Sequence, residues 1–566
     1  MQADLLAALN WLLGPEKASS LEPERLVQLD SRACLESQPL SAPAHTKIRP
    51  THLWPRWIFL RALGLIYFSA FYSLYFQIKG LIGPDGILPA NDYLHAIAST
   101  PNLRAARFWL APTLLWFSAS DRSLMLLCWV GLIASVLLVI NYWPRGMLLV
   151  CFICFLSFIA AAQDFASYQS DGMLLEAGFI SLFFASPGLW PGLARNNAPS
   201  RLSMFLLQWE WFRIYFESGF VKLASGDRSW RDLTAMDDYY QNGPLPTWIG
   251  YYVQHFPHWF HAGSVILTFA VELVLVWMLF LPRRFRIACF CIVTPFEIGI
   301  VLTGNYAFLN YLVLSLGFLL LDDRVIEWIL PQRVRTFFEP KPSRIHTSPP
   351  SQSWRERWRK HSHPVGMTVS AICLGLVFYV GTVQLLWMFV PALPLPQSPV
   401  RWLEPFRIAN EYGLFAVMTH ARYEIEFQGS SDGKTWIPYP FRYKPQDAKN
   451  APGIYAPYQP RFEWNLWFAS LGSWQQYKFV VWTEERLLQN SRDVLQLFAA
   501  NPFPSSPPKE VRSVVYQYWF TDLKTKRETG AWWRRELLGE YAPALAMQDN
   551  GRPAVLNIPI VNPPVP

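Results

Sequence analysis

Residues 212–234 read FRIYFESGFVKLASGDRSWRDLT and follow directly on residues 201–211, RLSMFLLQWEW. The joined stretch has the apolar weight of a membrane helix, yet it carries Glu210, Arg213, Glu217 and Lys222. Inside a bilayer each of these groups is costly unless it is paired or hydrated. What they meet decides how the rest of the chain is built.

The surrounding composition is that of a partly membrane-embedded chain. Of 566 residues, 52% are apolar and 16% aromatic, while only 16% are charged, against about 25% in soluble domains. The formal charge of +8 does not read as a nucleic-acid footprint, because the basic residues gather beside hydrophobic spans. Crossing a bilayer core takes about 20 apolar residues. Stretches of that kind fall at 57–77, 122–140, 147–163, 173–190, 202–223, 262–281, 285–303, 307–321 and 366–390, so about 8–9 transmembrane helices are expected. The first apolar run, near Trp57, is too long for a signal-peptide core and reads as a retained anchor.

Orientation follows from Lys and Arg in the short connections. With the N-terminus in the cytoplasm, the inner connections carry Arg145, Arg195, Arg201, Arg283, Arg284, Arg286 and nine more basic residues between 322 and 365. The outer ones carry Lys79, Arg104, Arg107, Arg228 and Arg231. That bias places everything after residue 391 outside the cytoplasm. There ARYEIEFQG alternates as a half-buried strand does, Ser431-Asp432-Gly433-Lys434 marks a hairpin turn, and WIPYPFRY and VYQYWFTDL read as further strands. TEERLLQNSRDVLQLFAANPF reads as one or two helices.

The expected fold is therefore an α-helical polytopic membrane bundle plus a C-terminal extracytoplasmic β-rich α+β domain. A cytoplasmic segment spans 1–50 and the bundle 51–321, with extracytoplasmic loops at 78–121 and 224–261. A basic cytoplasmic loop follows at 322–365, the last transmembrane helix at 366–390, the β-rich domain at 391–545 and a Pro-rich tail at 546–566.

Glu210, Arg213 and Glu217 share one helical face by their spacing. Three readings of that face compete. It is a structural ion network reaching Glu176, Glu272 or Glu297; a polar cavity for a substrate or lipid headgroup; or the setting for a catalytic Lys222. The spread of carboxylates over several spans favours the first. Lys222, near the helix end, is placed to snorkel to the interface or to meet Asp227. The loop motif Asp227, Arg228, Trp230, Arg231 and Asp232 opens an aromatic segment expected to cover the bundle, in contact with the C-terminal domain or with a client.

Other patterns are weaker. His255, His258 and His261 do not converge on one ion on a regular helix, and no metal is expected. Cys151 and Cys154 form C-x-x-C inside an apolar span, where thiolates are disfavoured. Gly429-Ser430-Ser431-Asp432-Gly433 fits G-x-S-x-G, but no histidine follows His420 to complete a hydrolase triad. SWRERWRKHSHP reads as a topology determinant beside anionic lipid, and WWRRE at 532–536 as a segment closing the domain back on the membrane. In PYQPRFEWNLWFASL, the aromatic and Arg types enriched at interaction hot spots make Tyr455, Tyr458, Arg461, Trp464 and Trp467 the candidate client-binding residues. Tyr455, Tyr458 and Arg461 stand as the better exposed contacts, and Trp464 and Trp467 also fit the buried face of a helix.

An ordered set of segments resembles the lipase maturation factor family. It comprises WIFLRALGLIYFSAFYSLYFQIKGLIGPDGILP, SYQSDGMLLEAGF, SGDRSWRDLTAMDDYY, TGNYAFLNYL, NEYGLFAVMTHARYEIEFQGSSDG, PYQPRFEWNLWFA and NPFPSSPPKEVR. The resemblance covers about residues 54 to 543. It implies a multi-pass membrane protein whose extracytoplasmic domain helps exported proteins, lipases among them, to mature without cofactors, nucleic acid or chemistry of its own. The lipid bilayer and an exported client are the implied partners. Ser218-Gly219-Phe220-Val221-Lys222-Leu223, with Trp230 beyond, is also similar to a short helix end of the vitamin K-dependent gamma-carboxylase group. That similarity implies the alternative, a membrane enzyme with Lys222 as base. The disulfide-free C-terminal part favours a bacterial inner membrane over the endoplasmic reticulum.

Overall fold

Helix α1, Leu53–Ile82, is 30 residues long and buries its Phe, Leu and Ile side chains along most of its length. It forms the centre of the membrane part in the computed structural model, which describes residues 52–337 and 354–559. The 1–50 segment, the middle of the basic loop and the end of the Pro-rich tail lie outside the described residues. Around α1 pack α2 (Asp121–Val139), α3 (Pro144–Ile159), α4 (Gln169–Phe184) and α5 (Arg201–Ala224) in serial contact. A short α6 (Trp248–Gln254) precedes α7 (His258–Phe269), whose line continues through a π turn at Ala270–Val274 and a 3-10 segment at Leu275–Phe280. Then come α8 (Arg283–Thr303), α9 (Leu309–Gly317) and α10 (Trp354–Phe389).

Five of the helical stretches described are long and apolar enough to cross a membrane: Leu53–Ile82, Asp121–Val139, His258–Phe280, Arg283–Thr303 and Gly366–Phe389. Pro144–Ile159 and Leu309–Leu320 are apolar but shorter. The charges in α5 keep it outside this set, although it runs for 24 residues through the packed interior.

After α10 the chain passes through an irregular stretch, 404–421, into β1 (Arg422–Ser430). The sheet then gathers β2 (Ile437–Pro438), β3 (Glu510–Phe520), β4 (Trp533–Glu540), β5 (Leu545–Met547) and β6 (Pro553–Val555), with α11 (Arg461–Ser470) and α12 (Phe479–Leu488) packed beside it. Its order is β2-β1-β3-β5-β6, with β4 also on β3. β1 and β3 pair antiparallel along their whole overlap, from Arg422 opposite Tyr518 to Ser430 opposite Glu510.

Two expectations for this module need correction. WIPYPFRY pairs over only two residues, because Pro438 and Pro440 lack the N–H that a ladder requires. β1 is buried at every position rather than on one face. Its apolar face meets Phe441, Phe462 and Phe498 through Phe427. Its polar face is closed by ion pairs of Glu424 with Arg422 and Lys444, and of Glu426 with Arg535. The G-x-S-x-G match is the β1–β2 turn, with Gly433 at φ 71°, and WWRRE leads into β4, with Trp532 against Tyr251 and Tyr252 of α6.

Candidate functional site

The charged face of α5 points at peptide backbone. Arg213, fully buried, forms an ion pair with Glu176 of α4 and donates to the Asn410 carbonyl at 2.6 Å. Its guanidinium lies 3.9 Å from Glu217 and stacks 5.1 Å from the Tyr412 ring. Helix α10 closes the arrangement with Gly381, where a Cβ would meet the guanidinium carbon at 2.8 Å. Glu176 in turn accepts the Asn410 N–H at 2.9 Å and the Tyr412 hydroxyl at 2.8 Å. Glu217 accepts the Tyr412 N–H at 2.7 Å, and the Ser218 hydroxyl oxygen accepts the Leu414 N–H at 3.2 Å.

Lys222 completes the row. It donates to both oxygens of Glu272 at 3.0 and 2.9 Å, to the Ser218 carbonyl at 3.2 Å and to the Leu414 carbonyl at 3.0 Å. Segment 408–418 is thus a non-helical strap that α4 and α5 hold through the N–H and C=O groups of Asn410 and Leu414 and the N–H of Tyr412. Irregular backbone buried inside a helix bundle persists only where protein supplies such partners. Arg213, Glu217 and Lys222 sit in the apolar span where the strap gives them partners.

Two carboxylates stand apart from this row. The oxygens of Glu210 have no hydrogen-bond partner, though the group is fully buried. Glu297 is held by the Tyr215 hydroxyl at 2.6 Å and the Asn310 amide at 2.6 Å. Lys222 does not meet Asp227, since Glu272, presented by the π turn, occupies its ammonium.

The loop after α5 extends the same seam. Asp227 accepts from the Ser229 N–H and hydroxyl and from the Met418 N–H at 2.7 Å. Trp230 donates its indole N–H to the Phe415 carbonyl at 3.1 Å and lies under Lys222. Arg231 returns to the Leu223 carbonyl at 3.1 Å, whereas Arg228 and Asp232 remain at the loop surface. Asn242 reaches the Thr419 carbonyl, and Arg422 caps the carbonyls of Gln241, Gly243 and Pro244. Burial raises the Asp227 carboxyl, but the Met418 N–H and both Ser229 donors outweigh it and hold the group below its ordinary 3.8. A depressed carboxylate stabilises above its unfolded value and loses that contribution as pH falls through the folded one. Protection of the Met418 amide should therefore be steady at pH 5 and above and fall below pH 3.8. In Asp227→Asn it should be weaker and lack this step, as hydrogen exchange would measure.

The candidate client-binding residues lie in a second seam. Arg461 is buried and forms a bidentate pair with Asp171 of α4, both distances 2.7 Å, while also reaching the Phe165 carbonyl. The Gln77 amide approaches the Tyr458 hydroxyl at 3.2 Å, the Tyr455 N–H donates to Asn305, and the Trp467 indole donates to the Asn242 carbonyl. Trp464 packs against Tyr168. The expectation of an exposed contact is corrected for Arg461, which is buried and docks the C-terminal module onto the bundle, while Tyr455 and Tyr458 are half-buried beside it.

The histidines do not converge. His255 faces the carbonyls of Tyr251 and Thr521, His258 pairs with Asp237, and His261 is buried without a hydrogen-bond partner. Among the described residues no cluster of His, Cys, Asp and Glu has the makings of a metal site. The described cysteines are all unpaired, with Cys151 and Cys154 buried in α3.

Comparison with known proteins follows the same two-part division. Residues 54–328 match the model of the lipase maturation factor transmembrane domain, and residues 408–543 that of the lipase maturation factor C-terminal domain. The second match opens at the first residue of the strap. Lipase maturation factor 1 of Bos taurus is 30% identical, with 96% of this chain and 97% of that protein aligned. Lipase maturation factor 2 of Gallus gallus is 30% identical, over 88% of this chain and 82% of its own. The human lipase maturation factor 1 is 29% identical over 90% and 91%. No solved structure matches. With both halves matched in order, this multi-pass membrane chain belongs to the lipase maturation factor family.

Proposed function

We propose that the chain assists the folding or assembly of an exported protein, a lipase in the first instance, by binding it without chemistry. The reading invokes no cofactor and no nucleic acid. Family membership along nearly the whole chain supports the maturation role. The concentration of Lys and Arg in alternate connections supports a cytoplasmic N-terminus and a C-terminal module on the export side. Its freedom from cysteines supports a bacterial inner membrane, with the endoplasmic reticulum membrane as the eukaryotic counterpart.

The client surface is assigned to β4, and one observation carries that choice. Residues 534–538 of this strand are exposed on both faces, including Leu537 at 54% and Leu538 at 40%. β4 pairs with β3 alone, and among the described residues no strand covers its other edge. An open edge with apolar side chains is a template on which an extended polypeptide can add as a strand. A client segment that completes its own sheet no longer offers that edge, so folding itself releases it.

The enzyme reading has less support. The Lys222 nitrogen is already engaged by acceptors of Ser218, Glu272 and Leu414, an arrangement that ties it into the structure. Replacing Leu537 and Leu538 together by Lys should leave folding and insertion intact. Activity of a lipase secreted by the same cells should fall roughly tenfold, the loss of about 1.4 kcal/mol of contact. Unchanged lipase activity at equal expression would refute the assignment.

A further inference from the structure

A cavity of about 730 Å³ lies inside the bundle, between α5 and the hairpin of α7 and α8. The hairpin is tied at one end, where the Cys289 thiol meets the Leu275 carbonyl at 3.4 Å. At the other end α6 roofs it, with the Thr247 hydroxyl on the Leu302 carbonyl at 2.7 Å. Between these ties the arms separate. Leu267 of α7 and Ile292 of α8 line the cavity and are 45% and 42% exposed. The apolar window of α8 is only 17% buried, so this opening faces the hydrocarbon of the bilayer. The volume lies within the roughly 300–1,000 Å³ range of small-molecule sites.

Around Glu272 and Glu297 the polar groups lining it have a one-sided chemistry. Lys222 donates to Glu272, and Tyr215 and Asn310 donate to Glu297. The hydroxyls of Ser218, Ser264 and Thr268 donate to carbonyls one turn back on their own helices. The donors next to the two carboxylates are thus taken by protein, while the carboxylate oxygens keep unused lone pairs; the hydroxyls of Tyr239, Tyr240 and Tyr306 line the cavity as well. Pro295, also in the lining, removes the N–H that would otherwise bond the Cys291 carbonyl, adding another acceptor. Glu272 sits in the π turn, a helical irregularity frequent at binding sites.

We infer that this cavity binds a neutral, hydroxyl-bearing lipid of the monoacylglycerol class, entering sideways from the bilayer between α7 and α8. Its single acyl chain fills the apolar part, and its hydroxyls donate to Glu297 and Glu272. Carboxylate and phosphate heads are repelled by these acceptors, and ketone or quinone heads bring no donor. This ligand goes beyond the maturation role and does not depend on the β4 assignment.

The test uses the full chain in phosphatidylcholine nanodiscs with a trace of diazirine-bearing monoolein, photo-crosslinked and mapped by peptide mass spectrometry. Saturable labelling of cavity-lining residues of α7 and α8 is expected. Unlabelled monoolein should displace it at roughly tenfold lower concentration than oleate, oleoyl lysophosphatidate or a long-chain ketone. Gly299 lines the cavity with open space around its Cα, so Gly299→Trp should fill the site and cut labelling about tenfold. If that variant does not fold, Ile292→Trp at the opening should give the same loss. Labelling that does not saturate, that survives a folded filling variant, or that oleate or the ketone displaces equally well would overturn the inference.

Discussion

Arg213→Ala should be the most damaging single substitution in the bundle. It would leave Glu176 and Glu217 facing each other without a cation and the Asn410 carbonyl without a donor. Breaking a buried ion pair by removing one partner costs about 3–5 kcal/mol, and the loss here spreads to the strap. The expected protein is poorly folded, and whatever inserts should be cut by protease between 407 and 418. Arg213→Lys should recover only part of the loss, because one ammonium cannot reproduce the planar fork that meets Glu176 and Asn410 together. Pairing Arg213→Met with Glu176→Gln should be milder than Arg213→Ala, since it removes charge from both sides. A wild-type melting profile and protease pattern for Arg213→Ala would contradict the role assigned to the network.

Asp171→Asn is expected to loosen the other seam by a similar amount. Arg461 would remain buried, held by the Phe165 carbonyl and a neutral amide in place of a bidentate carboxylate. About 3–5 kcal/mol again follows from breaking a buried pair. The effect differs in place, however. The strap contacts stay, so the bundle should hold while α11 lifts from α4, opening 453–461 to limited proteolysis. Arg461→Met should behave alike, and combining the two should cost less than the sum, because a single interaction is lost. Additive losses would show that Arg461 and Asp171 act separately.

Much of α5 was legible in the sequence. Its length and apolar weight are read from composition, the shared face of Glu210, Arg213 and Glu217 from helical spacing, and the favoured reading is an ion network reaching Glu176, Glu272 or Glu297, of which Glu297 is held by Tyr215 and Asn310 instead. The main partner was not legible. NEYGLFAVMTH, nearly two hundred residues downstream, takes part chiefly through its backbone, and backbone hydrogen bonds leave almost no signature in side-chain type. Glu210 shows the limit of periodicity, since residues on one face need not share a partner.

The C-terminal module was misread where composition is ambiguous. Arg461 and the neighbouring aromatics belong to types equally suited to gripping a partner and to gripping the same chain. Sequence alone does not say which, and the matching Asp171 lies 290 residues away. Alternation in β1 was read correctly as strand, but whether water or paired charge covers its polar face depends on Lys444 and Arg535, both distant in sequence. Leu537 and Leu538 follow directly on WWRRE, which reads as a segment closing the domain back on the membrane, and two adjacent leucines carry no mark of an open strand edge.

The strap is the point on which this account turns, and amide hydrogen exchange reads it directly. In nanodiscs at neutral pH, peptides covering 408–418 should exchange as slowly as those from the middle of α5, with the Asn410 and Tyr412 amides among the last to exchange. Exchange of that segment at the rate of an open surface loop, beside a protected α5, would mean that the charged helix does not hold it.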